Sequence, residues 1–335
     1  MTRPIRAGII GLGVGEQHVK SYGAVPGVEV VAVCDVDPVK LDDVAGRYNV
    51  PRRTQSWRDI TEASDIDVVS ICSFDDGHAE QAISAFRSGK HAMVEKPICL
   101  TRAEEEAVLR AQQDSGKRIS SNLILRGERR FAELRASIRA GDFGEIFHVE
   151  GDYVHDILWK IITGWRAKMH FYSVVYGGGI HLIDLMRWML DDEIEDVAAF
   201  GNRISAAPQG GRIDDCVVSL FQFKRGATGK TLSTYGPRRT KFHALNVYGT
   251  KRTFVNDRPN AKLFDGDDEA KSESVIRTPY PSAEKGDLIP EFIQAIREDR
   301  EPLVGARDVF RTMDVCLACN AALETRKVVT VDYLL

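Results

Sequence analysis

Long apolar runs are missing from this sequence. No stretch reaches the roughly 18–20 residues that a membrane-spanning helix needs, and Met1 to Ile5 lead into a strand-like run without the apolar centre of a signal region. The expectation is a protein of the cytoplasm with no membrane partner. A block of one charge is missing too. Lysine and arginine number 45 against 49 aspartates and glutamates, for a formal net charge of -4. Without a basic run the chain lacks the electrostatic footprint of a nucleic-acid binder, so the expected partner is a small molecule. The six cysteines, Cys34, Cys72, Cys99, Cys216, Cys316 and Cys319, are scattered, several of them in apolar runs where a thiol packs as a small core residue. No disulfide framework is implied. Cys316 and Cys319 have the spacing of a redox or zinc pair, but they fall in a helical run with no second pair nearby, and a structural zinc takes four ligands. They read as helix core, and no metal site is expected. Low-complexity tracts, internal repeats and flexible linkers are absent as well.

What is present is ordinary globular material: 335 residues, 43% hydrophobic and 28% charged. That length exceeds one ordinary core and favours two domains. In the first third, short apolar strands alternate with amphipathic helices, the pattern of a parallel sheet covered on both faces. Strands are expected at Ile5 to Ile10, Val28 to Cys34, Val68 to Cys72, His91 to Val94 and Lys117 to Ser120. Asp37 followed by Pro38 caps one helix, Gly89 stops another, and Thr101 with Glu104 forms a capping box for a third. Later the period becomes mostly two, with strand-like runs at Ile146 to Val154, Val197 to Ile204, Cys216 to Phe223, Thr228 to Tyr235, Phe242 to Tyr248 and Thr253 to Val255. The fold class is therefore α/β: a Rossmann-type parallel-sheet domain over residues 1–122, then an α+β domain over 123–335 with an open, mostly antiparallel sheet. Its two late helices, near Asp287 to Glu298 and Ala306 to Thr325, cover that sheet or return to the first domain.

Gly11, Leu12, Gly13, Val14 and Gly15 lie directly after the first strand and before a helical segment. Glycines there let the backbone approach a pyrophosphate, which the helix N-terminus attracts. The third glycine comes one residue early, and Glu16 stands at the usual position, so its side chain must point away from a phosphate. Asp35 ends the second strand, where a carboxylate accepts from the adenosine ribose hydroxyls or simply caps the following turn. The same charge repels a 2′-phosphate, and no arginine follows at once, so NAD is expected rather than NADP.

At Glu95, Lys96 and Pro97 the sequence resembles the Gfo/Idh/MocA family of NAD(P)-dependent oxidoreductases. The resemblance spans nearly the whole chain. It takes in the glycine loop, Ile71 to Asp75 through His78, Gly164 to Arg166, Gly177 to Asp184, Val247 to Thr250 and the closing helices. It implies a nicotinamide held at a cleft beside a carbohydrate-like substrate: a sugar, sugar acid, cyclitol or nucleotide sugar. Ser73, Phe74, His78, Glu95 and Lys96 join the glycine loop and Asp35 as cofactor residues. Lys96 and His181 are the expected catalytic residues, since hydride transfer at a carbinol carbon needs one group on the oxygen and one exchanging its proton. Relatives of this kind commonly form homodimers or homotetramers through the open sheet.

Two departures stand out. Relatives often carry an aspartate four residues before the histidine, where this chain has Gly177. Tyr153, His155, Asp156, Lys160 and Tyr176 are candidates to replace it. Ser73, Phe74 and Asp75 stand where relatives often show Thr-Pro-Asn. Asn122, Tyr153, Trp165, Arg166 and Asp184 are the expected substrate-side residues, with Asp184 alternatively orienting His181, and Arg166 equally readable as half of a structural ion pair. Two other readings stay open: a redox-neutral, NAD-assisted glycoside cleavage or epimerisation, and a dinucleotide-binding sensor without catalysis.

Overall fold

The computed structural model describes residues 3–266 and 273–335, so Met1 and Thr2 of the N-terminal reading lie outside the described residues. The chain forms two compact units: Met1–Ile124 with Glu284–Met313 and Leu334–Leu335, and Leu125–Ala283 with Asp314–Tyr333. The sequence reading set the second domain at 123–335 and left open that its late helices return to the first; Glu284–Met313, with the first of those helices, belongs to the first unit. No helix among the described residues is long and apolar enough to cross a membrane.

The first unit holds a parallel sheet of six strands: β1 (Ile5–Ile10), β2 (Val28–Cys34), β3 (Arg52–Thr54), β4 (Val68–Ile71), β5 (His91–Val94) and β6 (Ile119–Ser121), in the order β3-β2-β1-β4-β5-β6. Strands buried on both faces read as unbroken apolar runs, and all four residues of β4 are buried. The connecting helices are α1 (Gly15–Ala24), α2 (Pro38–Arg47), the single turn α3 (Arg58–Thr61), α4 (His78–Arg87) and α5 (Arg102–Ser115). Their ends follow the sequence signals. Asp37 accepts from Val39 N and Lys40 N, and Thr101 and Glu104 make the reciprocal capping box. Gly89 ends α4 at φ 74°, a conformation that suits glycine.

The second unit begins with α6 (Arg129–Arg139) and is built on a nine-stranded sheet. Its strands are β7 (Ile146–Val154), β8 (Ile194–Asn202), β9 (Cys216–Phe223), β10 (Thr228–Thr234), β11 (Phe242–Gly249), β12 (Thr253–Val255), β13 (Ala261–Phe264), β14 (Glu273–Ile276) and β15 (Val329–Thr330). The order is β14-β13-β12-β11-β7-β10-β9-β8-β15. β7 and β10 pair in parallel and the other described neighbours antiparallel, so the sheet is mixed. Burial alternates along β7 and β9, the mark of a sheet with one covered face. A short helix α7 (Trp159–Ile162) precedes the long α8 (Ile180–Leu190), which packs on β7. A π-helical turn over Val175–Gly179 opens α8. Of the last helices, α9 (Ile289–Arg297) lies in the first unit, packed on α1, while α10 (Ala306–Thr325) starts in the first unit and ends in the second. Cys316 and Cys319 are buried on α10.

Candidate functional site

In the first unit the turn after β1 is closed by backbone. Gly11 N donates to Cys34 O (2.8 Å) and Cys72 N to Ile10 O (2.7 Å), which brings the ends of β1, β2 and β4 together. Gly11 sits at φ 81°, and a Cβ there would collide with the Cys72 carbonyl. A Cβ on Gly15 would fall 2.9 Å from Ile9 Cγ2, so that glycine lets α1 pack onto the sheet. Gly13 differs: a Cβ there meets no protein atom within 4 Å. Its bareness has no packing reason, and an open backbone at this point suits a phosphate group. These three roles are those the fingerprint assigns to its glycines, so the turn fits a dinucleotide.

Asp35 fixes that turn. Its Oδ2 accepts from Leu12 N (2.6 Å) and its Oδ1 from Asp37 N (2.9 Å). Glu16 is drawn off to the side: its carboxylate pairs with Arg47 (2.5 Å) and accepts from the Tyr48 hydroxyl (3.2 Å). The expected problem of an acid beside a phosphate is thereby answered within the unit.

Below this turn lies a buried polar chain that sequence reasoning missed. Ser70 donates to Tyr22 (3.2 Å) and meets His18 Nδ1 at 3.0 Å, while His18 Nε2 lies 3.5 Å from the Glu95 carboxylate. Glu95 Oε1 also accepts from Asn122 Nδ2 (2.6 Å). Asn122, expected on the substrate side, is thus buried beneath the Glu95–Lys96 turn. Burial works against charge on Glu95, but the His18 hydrogen bond and charge, with Lys96 and Lys285, outweigh it and hold the carboxyl down at about 2. Next to it Lys96 is half-buried and joined to Pro97 by a cis peptide. His78 is wholly buried: Nδ1 lies 2.6 Å from Pro97 O and Nε2 3.2 Å from Ser73 O. It ties the Lys96–Pro97 turn to the Ser73–Phe74 loop, on which Phe74 stands exposed.

In the second unit the expected residues gather around Tyr153 on β7. Its ring stacks with His181 (centroids 6.4 Å, 22°) and touches His243 (5.4 Å) and Tyr235 (6.0 Å). Its hydroxyl lies 3.0 Å from His155 Nδ1. Burial, with Tyr235, pushes the Tyr153 hydroxyl far above the ordinary tyrosine range, against the opposing charge of Arg166. Arg166 stacks over Trp165 (4.1 Å) and faces the Tyr172 ring (5.3 Å). Asp184 is fully buried and held by Arg126 through two bonds, 2.9 and 2.6 Å, rather than presented to an open face.

The glycines before His181 have a steric cause. A Cβ on Gly178 would run into the Tyr153 ring, one on Gly179 into the Ser233 hydroxyl, and one on Gly177 into the hydroxyls of both Tyr172 and Tyr235. Those hydroxyls share a hydrogen bond of 2.6 Å. Two phenols therefore fill the space into which a side chain at position 177 would grow. Neither was among the sequence candidates, because a tyrosine in a loop and another at a strand end carry no spacing signal.

Comparison with known proteins agrees with this picture. Residues 5–123 match the oxidoreductase family with an NAD-binding Rossmann fold, and residues 131–255 match the GFO/IDH/MocA C-terminal domain. Inositol 2-dehydrogenase of Salmonella paratyphi B is 28% identical over 206 residues, covering 60% of this chain and 59% of that protein. A glycosyl hydrolase family 109 protein of Shewanella pealeana is 33% identical over 186 residues, 50% of this chain and 40% of its own length. The match thus spans under two thirds of either relative. Levoglucosan dehydrogenase, solved in complex with NADH, shares the fold at a TM-score of 0.86 and 23% identity, over 99% of this chain and 100% of its own. With both domain patterns present in order along one chain, it belongs to the Gfo/Idh/MocA oxidoreductase family.

Proposed function

We propose that the chain is an NAD-dependent oxidoreductase that moves a hydride to or from a carbohydrate-like alcohol. The observation that carries the reading is the glycine turn, with open space where a Gly13 Cβ would stand and Asp35 fastened to Leu12 N. The bound dinucleotide supplies the hydride acceptor or donor. Glycines 11, 13 and 15 with Leu12 and Val14 hold its phosphates, Asp35 its adenosine ribose, and Ser73 and Phe74 its nicotinamide side. The Asp35 carboxylate favours NAD over NADP by repelling a 2′-phosphate.

On the substrate, Lys96 donates a hydrogen bond to the reacting oxygen and stabilises its developing negative charge. His181 exchanges the hydroxyl proton. Tyr153 and Arg166 contact the remaining hydroxyls. The Tyr172–Tyr235 pair takes the place of a carboxylate at position 177, so no acid is supplied there and the Arg166 guanidinium lies over the Tyr172 ring. Inositol and levoglucosan dehydrogenases among the relatives support a sugar or cyclitol. A second copy of the chain is the proposed partner of the open sheet face, where Phe200 and Leu220 stand exposed on paired strands.

The test is NADH formation during a screen of sugars, sugar acids, cyclitols and nucleotide sugars. Lys96→Met should lower turnover by about a thousandfold, with a much smaller loss of NAD affinity. Failure to bind any dinucleotide overturns the reading. The family 109 relative favours a second outcome, in which a glycoside is cleaved with no net NADH.

A further inference from the structure

Residues 284–288 return to the first unit ahead of α9, and they do so against α1, the helix that follows the glycine turn. Ser21 Oγ donates to Gly286 O (2.7 Å), and a Cβ on Gly286 would come within 3.1 Å of the Gln17 carbonyl. Gly286 sits at φ 99°, a backbone state that suits glycine. Asp287 Oδ2 accepts from Glu284 N (2.7 Å), closing the turn from its other side. The backbone of Lys285 is thereby clamped beside the first turns of α1, with its side chain exposed.

The charge of Lys285 acts on two groups at the ends of neighbouring strands. It helps lower Glu95, just past β5, and it opposes the burial and the Glu95 charge that raise Cys72, just past β4. Gly286, the residue after Lys285, lies against Gln17 and Ser21 of α1, so the turn carries Lys285 beside the helix that follows the glycine turn. The glycine turn itself carries no positive side chain, and Lys96, just past β5, is assigned to the reacting oxygen. Glu16 is the only charged side chain between Gly11 and Gln17, and Arg47 is already engaged by Glu16 and Asp43. A helix N-terminus contributes only about half a unit of positive charge, whereas a dinucleotide pyrophosphate brings about two negative ones.

We propose that Lys285 is a dinucleotide ligand, a point charge brought from the far end of the sequence to the pyrophosphate and its nicotinamide side. This rests on the dinucleotide reading above. Lysine suits the task because a compact ammonium meets phosphate oxygens without a fixed fork geometry.

The test is calorimetric titration of the full chain with NAD, ADP-ribose and adenosine, in the parent, Lys285→Gln, Lys285→Arg and Lys20→Gln. Lys285→Gln should bind NAD and ADP-ribose about tenfold more weakly, as expected on losing one charged hydrogen bond. Adenosine affinity should be unchanged, and Lys285→Arg should retain most of the dinucleotide affinity. Lys20 is exposed on α1, and Lys20→Gln controls for general loss of positive charge. NAD binding by Lys285→Gln equal to the parent's, or an equal loss for adenosine or with Lys20→Gln, overturns the assignment alone. A parent chain that binds neither NAD nor ADP-ribose overturns the dinucleotide reading along with it.

Discussion

The two units build their candidate sites from different materials. In the first, the proposed ligand-facing parts are backbone: three glycines, a carboxylate that ties two amides, and strand ends held by main-chain hydrogen bonds. In the second they are side chains from β7, β11, α8 and the loops between, converging on Tyr153. A backbone site tolerates few sequences, because only glycine fits and the acid must follow at a set distance. A side-chain site admits many solutions, since any strand can deliver a ring or a hydroxyl to the same volume. The difference also shows in charge. Both units carry surface ion pairs, such as Arg58 with Glu80 and Arg129 with Glu133, but the second also buries a guanidinium–carboxylate pair, Arg126 with Asp184, almost completely.

Breaking that buried pair is the largest effect expected outside catalysis. Asp184→Asn removes the carboxylate that holds the buried Arg126 guanidinium and should cost about 3–5 kcal/mol. Glu80→Gln at the surface should leave the urea midpoint unchanged within error, because exposed pairs are solvent-screened. Equal losses in the two variants would erase the contrast between the units.

The next effect belongs to the buried carboxylate of the first unit. Glu95 has a folded value of about 2, below its ordinary 4.5. A depressed carboxyl stabilises the fold fully above the unfolded value, and the contribution is lost as pH falls from about 4.5 towards 2. At neutral pH it is on the order of 3 kcal/mol. The urea-midpoint gap between the parent chain and Glu95→Gln should therefore be widest above pH 5 and shrink steadily below pH 4. A gap that does not change with pH would mean that the His18 and Asn122 contacts do not favour the ionised form.

Much of the first unit was legible in the sequence for the reason its site is: strand, glycine turn, strand, acid is a one-dimensional pattern. β3 was missed because three residues carry no period. His18 was passed over, and the buried bond of Asn122 to Glu95 was not foreseen, because their partners lie 27 to 104 residues away. In the second unit, alternation gave β7, β9, β10 and β11 nearly to the residue, since one covered face imposes a period of two. Yet β13 and β14, at the sheet's far edge, were not anticipated. The parallel pairing of β7 with β10 was also unreadable, because alternation says which face a residue takes and nothing about its neighbour strand. At Gly177 the family likeness showed that something was missing but could not show what had moved in. Tyr172 and Tyr235 are 63 positions apart and meet only in the fold.

The smallest effect contrasts the two kinds of glycine. Gly13→Ala adds a methyl where no protein atom lies within 4 Å, so stability should hold while NAD affinity falls sharply. Gly177→Ala drives a methyl into the Tyr172 and Tyr235 hydroxyls and should cost about 1–3 kcal/mol, the usual price of overpacking, with NAD affinity unchanged. Removing the obstacle should recover part of that loss. In a Tyr172→Phe, Tyr235→Phe background both oxygens are gone, although Tyr172 Cζ remains 2.8 Å from the new methyl. Thermal melts of the four combinations give the coupling directly. A penalty for Gly177→Ala that is the same in both backgrounds would mean that the phenols do not define the space at position 177.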